Sequence, residues 1–148
     1  MKVVIQRSKK SNVIIDNKVY NEIESGLVIL SCFTYDDTKE DIDYIVKKIV
    51  NLRIFDDENG VMNKSILDVG GEILSISQFT LYADATKGNR PSYVHAMPGE
   101  QSSKLYDKFN EEIGQLVHTE TGIFGADMKI TFTADGPTTI CLEINKNN

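Results

Sequence analysis

The chain has 148 residues and a mass of 16.6 kDa, with 41% hydrophobic and 26% charged residues. This composition is typical of a folded globular protein, and the length predicts a single domain, residues 1–148, with an ordinary hydrophobic core. The net charge of −6 argues against a protein that coats DNA or RNA through a broad basic face, although a few local cations can still grip the end of a strand.

No apolar run approaches the roughly 20 residues that a membrane helix needs, and the apolar part of the N-terminus is too short for a signal peptide. The two cysteines, Cys32 and Cys141, lack metal or redox spacing and are expected in strands as small apolar residues. We therefore expect a cytoplasmic protein without a membrane partner.

The first third of the chain is predicted to be rich in strands. Apolar runs predict strands at residues 2–7 and 12–16, joined by a hairpin at residues 8–11, and a short third strand at residues 19–23. The strongly apolar run that starts at Gly26 predicts a central strand that is covered on both faces.

A helix is predicted after this strand. Thr38 has the position of an N-cap, and Asp41 follows three residues later in the place of a capping-box acid. Apolar residues then recur at helical spacing, which predicts one buried face and a helix that covers the sheet. Asn59-Gly60 beyond the helix favours a tight hairpin turn. The residues of the predicted buried face are Ile42, Ile45, Val46, Ile49 and Val50.

The middle of the chain carries the stretch with the most chemistry. Residues 71–76 indicate a buried strand, which continues into the run Ser-Gln-Phe-Thr-Leu-Tyr at residues 77–82 and then into a loop at residues 86–91. Polar groups at the point where a rigid strand becomes a loop are common in functional sites. The alternative is a strand whose hydroxyls only satisfy nearby backbone groups, and the spacing leaves both interpretations open.

The remainder predicts a second helix and two more strands. Residues 100–118 have an apolar stripe at helical spacing, and residues 121–127 indicate a loop. Strands are predicted at residues 128–133 and 138–144, joined by a hairpin turn at residues 134–137, and the last four residues are expected to fray. This order of elements favours an α+β layered domain, with antiparallel or mixed β-sheets covered by two main helices.

Conventional catalytic machinery is scarce in this sequence. His95 and His118 are the only histidines, and neither has a metal-ligand spacing with cysteine or with a second histidine. The sequence contains no nucleophile elbow, no phosphate-binding loop and no dinucleotide-binding glycine motif. It therefore predicts no metal and no cofactor, and an enzyme built on it would rely on positioned backbone groups and on its substrate.

Several short motifs, in a fixed order, resemble the D-aminoacyl-tRNA deacylase family. The pattern includes Ser77-Gln78-Phe79-Thr80-Leu81, then Gly88-Asn89-Arg90-Pro91, and finally Asp135-Gly136-Pro137-Thr138-Thr139. Shorter matches begin at Ile5-Gln6-Arg7 and continue to residues 121–128, so the resemblance covers nearly the whole chain. Several motifs in the right order make the resemblance specific, whereas any one of them alone would be weak.

The resemblance implies a homodimeric hydrolase, with a site at each end of the dimer interface, that cleaves the ester bond of D-aminoacyl-tRNA and also of glycyl-tRNA. It implies a cis Gly136-Pro137 bond in a turn that reaches into the partner's pocket. Two parallel carbonyls there could bind the α-amino group of the substrate and leave no room for an L side chain. Cys32 and Ala134 depart from the glycine and the asparagine expected at these positions, and Ala134 bears on how rigidly the turn is held.

The resemblance also assigns roles at the predicted site. The backbone N–H groups of Phe79 and Thr80 would stabilise the oxyanion that forms from the ester carbonyl. Gln78 would position the substrate, Ser77 belongs to the same motif, and the 2′-hydroxyl of the terminal adenosine would help to activate water. Further residues are expected at the 3′ end of the tRNA, through stacking or phosphate contacts: Phe124, Gly125, Ala126, Met128, Arg7, Lys87 and Arg90.

Three alternatives stay open at this stage. Thr80 could be a covalent nucleophile, which would require a base within reach. The chain could also be an ordinary serine or threonine hydrolase of small esters, which predicts an accessible histidine or acid near Thr80. Finally, it could be a non-enzymatic nucleic-acid-binding module on the same fold, although the acidic charge disfavours DNA as a partner.

Overall fold

The structure, a computed structural model, describes residues 1–144. The last four residues, which we expected to fray, lie outside the described residues. The strands are β1 (Lys2–Ile15), β2 (Lys18–Ile23), β3 (Gly26–Cys32), β4 (Phe55–Asp56), β5 (Met62–Lys64), β6 (Glu72–Ser77), β7 (Thr119–Thr121) and β8 (Lys129–Glu143). The helices are α1 (Lys39–Asn51), α2 (Ile66–Val69) and α3 (Gly99–Gly114), and a 3-10 helix spans Phe79–Tyr82.

Six of the strands form one mixed sheet. Its order is β2-β1-β3-β6-β7, and β8 pairs with the other edge of β1. The pairs β3–β6 and β6–β7 are parallel, whereas the remaining pairs of this sheet are antiparallel. β4 and β5 form a separate antiparallel hairpin around Asn59-Gly60, as predicted. The prediction of an α+β domain with a mixed sheet and two main helices is therefore confirmed.

The two faces of the sheet are covered differently, and β6 shows how. Ile73 points into the larger apolar cluster, which α1 and α3 cover. Leu74 and Ile76 belong to a smaller cluster on the opposite face, against which Ile130 of β8 packs. Adjacent strand residues point to opposite faces, so a strand that is apolar at successive positions must be covered on both. The end of β6 is therefore fixed from both sides.

The first predicted helix is confirmed as α1. Thr38 precedes it, and the Thr38 N–H donates to the Asp41 carboxylate at 2.7 Å, which is one half of the predicted capping box. All five residues of the predicted apolar face are buried. The second helix, α3, ends at Gly114 and is shorter than predicted. Beyond Gly114 the chain tightens, since the N–H groups of Gln115 and Leu116 donate to the carbonyls three residues earlier, and Leu116 is left 51% exposed.

The two predicted hairpins at residues 8–11 and 134–137 are wrong. β1 runs through the first position without reversing, and β8 runs through the second. The two strands pair with each other over most of their length, so each half of β8 finds its partner in β1 and not in the other half of β8. Turn-forming residues fit a β-bulge as well as a hairpin, and local sequence does not distinguish the two.

The register of β1 and β8 defines a bulge that matters for function. Gln6 lies opposite Thr139 and Ser8 opposite Ala134, so residues 135–138 stand opposite the single residue Arg7. We call residues 135–138 the Gly-Pro bulge. Proline cannot donate to a strand ladder, and a bulge on a strand with one neighbour is a position that tolerates it. Gly136 and Pro137 are both exposed on this bulge.

β7 was not predicted, because its three polar residues carry no strand pattern. It extends the sheet by pairing with β6, which places the following segment beside the end of β6. None of the described helices is long and apolar enough to cross a membrane.

Candidate active site

A cleft of about 250 Å³ lies where β6 ends. The predicted catalytic run forms one wall, where Ser77, Gln78 and Phe79 line the cleft. The segment between β7 and β8 and the start of β8 form the opposite wall. The structure thus brings together two stretches that are 40 or more positions apart in the sequence. The remaining lining residues are Ile76, Gly125, Ala126, Asp127, Met128 and Ile130.

Two adjacent backbone donors at the first wall are unpaired; Phe79 lines the cleft, whereas Thr80 follows it and is not among the lining residues. Within residues 1–144, neither the N–H of Phe79 nor that of Thr80 donates to a protein acceptor, whereas the next N–H, of Leu81, donates to Gln78 O at 3.2 Å. Phe79 opens the 3-10 helix, and the first N–H groups of a helix have no acceptor within it. Two adjacent donors are therefore available to an oxygen atom of a ligand.

The hydroxyl of Thr80 is engaged by a neighbouring side chain. Gln78 Nε2 donates to Thr80 Oγ1 at 2.6 Å. No histidine or carboxylate in the described chain is hydrogen-bonded to Thr80, so this geometry provides no base to activate its hydroxyl. The arrangement orients Gln78 and Thr80 relative to each other and gives no support to a serine or threonine hydrolase.

The first wall is attached to the neighbouring strand β3. The N–H of Gln78 donates to Ser31 O at 2.8 Å, and the thiol of Cys32 lies 3.3 Å from Phe79 O, where it donates a weak hydrogen bond. Burial raises the pKa of the Cys32 thiol to about 11, which keeps it protonated and able to donate near neutral pH. Cys32, which departs from the family pattern, thus contacts the predicted catalytic run directly.

The second wall packs closely against the sheet. A side chain at Gly122 would place its Cβ 2.5 Å from Met128 Sδ and 3.2 Å from Ile76, so a larger residue here would force the Met128 side chain to move. Beyond it, Gly125 and Ala126 line the cleft, and both have small side chains or none. Phe124 is not among the lining residues; its ring packs against Tyr106 of α3, with the ring centroids 5.9 Å apart.

Helix α3 connects the two walls through a buried hydrogen-bond network. The Tyr106 hydroxyl donates to Ser75 O at 2.8 Å, and Ser75 O also accepts the N–H of Gly122 at 3.3 Å. The Ser75 hydroxyl in turn donates to Asn110 Oδ1 at 2.6 Å. Burial raises the pKa of Tyr106, so its hydroxyl remains a donor at neutral pH. Tyr106 therefore contacts β6, and through Phe124 the segment of the second wall.

The Gly-Pro bulge lies elsewhere in the chain. The Gly136-Pro137 peptide bond is cis, as predicted, and Gly136 has φ 119°. Neither residue lines the cleft. The bulge is on β8, and β1 and β3 lie between β8 and β6 in the sheet. The bulge lies farther along β8 than Ile130, the β8 residue that lines the cleft.

The three predicted phosphate ligands differ in their surroundings. Arg7 is only 9% exposed, and its guanidinium donates to Ile54 O at 2.8 Å and to Asp135 O at 3.2 Å. Lys87 and Arg90 are exposed on the loop that follows the 3-10 helix. Arg7 thus lies beside the Gly-Pro bulge, whereas Lys87 and Arg90 lie on the loop that follows the first wall of the cleft in the sequence.

Residues 4–143 match the model of the D-Tyr-tRNA(Tyr) deacylase family. The chain belongs to this family. The match includes both the 77–81 run and the Gly-Pro bulge, so the family resemblance proposed from the sequence is confirmed. The prediction that the chain is an enzyme, a hydrolase of the deacylase class, is confirmed as well.

Relatives of the deacylase family match over nearly their full length. The D-aminoacyl-tRNA deacylase of Bacillus cytotoxicus is 52% identical over 144 residues, which are 97% of this chain and 99% of that protein. The solved structure of the c-Myc DNA unwinding element binding protein has a TM-score of 0.92 at 38% identity, over 98% of this chain and 99% of that one. A probable eukaryotic D-amino acid tRNA deacylase has a TM-score of 0.84 at 18% identity, over 97% and 98%, which shows a shared fold.

Sequence reasoning missed several residues of the candidate site. Ile76, Asp127 and Ile130 line the cleft, and Tyr106 holds its walls together. Ile76 and Ile130 were assigned only to strands, and Tyr106 carries no pattern that separates it from an ordinary helix residue. The described residues contain no group of three or more His, Cys, Asp or Glu side chains that could hold a metal ion.

Proposed function

We propose that the protein hydrolyses the ester bond between a D-amino acid and the 3′ end of its tRNA, and that it also releases glycine from glycyl-tRNA. The observation that carries the proposal is a pair of adjacent unpaired N–H groups: that of Phe79, which lines the cleft, and that of the next residue, Thr80. The 52% identity to a D-aminoacyl-tRNA deacylase over nearly the whole chain supports the substrate class.

The two N–H groups suit the charge that develops during ester hydrolysis. Attack of water on the ester carbonyl makes a tetrahedral intermediate with a negative charge on the former carbonyl oxygen, and positioned donors stabilise that oxyanion. The loss of one such donor typically costs about 3 kcal/mol of transition-state stabilisation. In our proposal the 2′-hydroxyl of the terminal adenosine helps to activate the water, because within residues 1–144 no histidine or carboxylate is hydrogen-bonded to Thr80.

The Gly-Pro bulge would supply selectivity for the D configuration. We propose that the carbonyls of Gly136 and Pro137 from a second copy of the chain bind the α-amino group of the substrate and exclude an L side chain. The bulge is exposed and does not line the cleft of its own chain, which supports action on another subunit. A pocket that excludes the L configuration by steric contact need not recognise any particular D side chain.

Arg7 fits a supporting role at this bulge better than a contact with phosphate. Its guanidinium is buried, donates to the Asp135 carbonyl and lies 3.4 Å from the Asp135 carboxylate. Arg7 also stands opposite the bulge in the β1–β8 register. We propose that it fixes the bulge, while Lys87 and Arg90 remain candidates for the RNA phosphates.

The test of the function is a comparison of D-tyrosyl-tRNA, L-tyrosyl-tRNA and glycyl-tRNA as substrates of the purified protein. We expect release of D-tyrosine and glycine, with L-tyrosyl-tRNA left intact. Equal rates for the two hands, or no reaction with the D form, would contradict the proposal.

A mixing experiment tests whether the bulge acts on a second subunit. Gly136→Ala disturbs the bulge and leaves the cleft intact, whereas Ala126→Trp fills the cleft and leaves the bulge intact. Neither homodimer should be active, but heterodimers would contain one complete site, and a random mixture should recover about a quarter of the wild-type activity. If the bulge served its own chain, the mixture would stay inactive.

A nucleic-acid-binding module is the second candidate. Its support is the neighbour at 38% identity that is named for binding a DNA unwinding element. The candidate predicts tight binding of duplex or single-stranded DNA at physiological salt, with no deacylation. Deacylation of D-tyrosyl-tRNA without DNA binding would exclude it for this chain.

A further inference from the structure

Phe79 and Tyr93 form an exposed aromatic pair beside the cleft. Their ring centroids are 5.0 Å apart with the planes at 68°, and the residues are 56% and 39% exposed. We infer that this pair is a stacking platform for the nucleobase that precedes the terminal adenosine of the RNA. The inference rests on the proposed function and extends it from the last nucleotide to the one before it.

The backbone at or directly before each of the two aromatic residues is fixed by hydrogen bonds. Phe79 O accepts the hydrogen bond of the Cys32 thiol, which ties the ring's residue to β3. Tyr93 directly follows the bridge between Asp84 and Ser92, in which each N–H donates to the other's carbonyl at 2.8 Å. Side chains on a fixed backbone lose less conformational freedom when a ligand binds, and a base can stack on them at a lower entropic cost.

The platform is continuous with the cleft. Phe79 is both a lining residue of the cleft and a member of the aromatic pair. The pair is thus at the edge of the cleft, and we infer that a strand whose terminal nucleotide occupies the cleft leaves past it. Proteins commonly hold unpaired RNA bases by stacking on aromatic rings, and such stacking accepts any base because every base has a π face.

The charges around the pair favour a phosphate-bearing occupant. Lys87 and Arg90 are exposed on the loop closed by the Asp84–Ser92 bridge, and neither is in a salt bridge within residues 1–144. The carboxylate of Asp84 turns into its own loop, where Oδ1 accepts from the N–H and the hydroxyl of Thr86 at 3.0 and 2.7 Å. Two cations without a salt bridge, on the loop that leads directly to Tyr93, together with two exposed rings match a nucleotide, which offers both a base and a phosphate.

The probes are the trinucleotide CpCpA and adenosine 5′-monophosphate, with binding measured by titration calorimetry at fixed salt. Wild type should bind CpCpA about ten-fold more tightly than the mononucleotide. Tyr93→Ala should remove most of that difference without changing mononucleotide binding, and Tyr93→Phe should retain it. Tyr35→Ala removes a ring that is 58% exposed elsewhere on the chain, and it is the matched control.

Three results would overturn the platform. Equal affinity of wild type for the two probes would show that the second base adds nothing. Equal weakening of both probes by Tyr93→Ala would show that Tyr93 shapes the cleft instead. A change from dimer to monomer in Tyr93→Ala, measured by sedimentation, would show that a second copy covers the pair. Failure to hydrolyse D-tyrosyl-tRNA would remove the proposed function, whereas the trinucleotide titration would still decide the binding site.

Discussion

The end of β6 and the Gly-Pro bulge are built in opposite ways. At the end of β6, contacts from several elements converge: Ser31 and Cys32 reach it from β3, and Tyr106 reaches it from α3. The bulge is contacted by the buried side chain of Arg7 and by the exposed Lys9, and its Gly136 and Pro137 are exposed. Both segments lie in the region that matches the deacylase family, yet only the first lines the cleft at the end of β6.

The difference indicates a division of labour between the two regions. A wall that stabilises charge must hold its donors in fixed positions, and the β6 end has the buried contacts that such positioning needs. An exposed bulge acts on whatever docks against it, and we propose that this is the cleft of a second subunit. Substitutions at the bulge should therefore affect binding of the α-amino group and chiral selectivity, whereas substitutions at the wall should affect the rate or KM without changing selectivity.

The largest effect is expected from Gly136→Ala. Gly136 has φ 119°, and a Cβ there would lie 2.8 Å from Thr138 Oγ1 and 3.0 Å from Arg7 Nη2, so the bulge must shift. We expect kcat/KM for D-tyrosyl-tRNA to fall by roughly 100-fold, which corresponds to about 2.7 kcal/mol. Gly114→Ala is the control, since its Cβ would meet nothing within 4 Å, and it should add up to about 1 kcal/mol of stability. An unchanged kcat/KM in Gly136→Ala would show that the bulge takes no part in the reaction.

Arg7→Met should have the next largest effect. It removes the donors to Ile54 O and Asp135 O, and we expect a loss of about 1–3 kcal/mol in the free energy of unfolding. The ratio of D to L hydrolysis should fall by about ten-fold if the bulge loosens. Lys9→Met is the control, because Lys9 is exposed and also pairs with Asp135, at 3.5 Å. A phosphate contact would instead leave urea unfolding unchanged and weaken tRNA binding in a salt-dependent manner.

Thr80→Ala tests whether the wall acts through its backbone. The substitution removes the hydroxyl that accepts from Gln78 and leaves the N–H groups in place, so we expect less than a ten-fold loss of kcat. Single-turnover deacylation of D-tyrosyl-tRNA measures it. Loss of all activity in a variant that keeps its unfolding midpoint would restore Thr80 as the nucleophile.

The smallest effect is expected from Tyr106→Phe. It deletes the hydroxyl that donates to Ser75 O, and KM for D-tyrosyl-tRNA should rise by about two- to five-fold as the cleft walls loosen. Tyr82→Phe is the matched control, because its buried hydroxyl has no partner among the described residues. The control should leave KM unchanged and leave stability unchanged or slightly improved. Equal changes in both variants would mean that Tyr106 contributes only to general stability.

Much of the fold could be predicted because its signals are local. The capping residues and apolar spacing of α1 fix a helix from a dozen neighbouring residues, and all five predicted core positions are buried. The end of α3 was misplaced, because residues 115–117 keep the helical spacing while the chain already turns. Hydrophobic periodicity reports which face of a segment is buried and is a weaker guide to where the segment stops.

The two wrong hairpins have a different cause. Residues 8–11 and 134–137 have turn composition, and the sequence offers no local sign that their flanking strands pair with each other across more than 100 positions. Strand pairing between distant segments depends on the whole sheet, so a turn and a bulge of the same composition cannot be told apart beforehand. The cis Gly136-Pro137 bond was nevertheless predicted correctly from the family resemblance.

The sequence alone determined the family, the element types and the two motifs, because these are recorded in residue order and short spacing. Only the tertiary structure decided that Gly125, Ala126 and Met128 face the Ser77–Phe79 wall, that Arg7 is buried at the bulge, and that the bulge lies outside its own cleft. These relations join residues that are distant in the chain, and they follow from sheet order and register. The end of β6, where the unpaired N–H groups lie, is therefore one wall of the cleft. Residues 125–130, which are distant in the sequence, form the other wall.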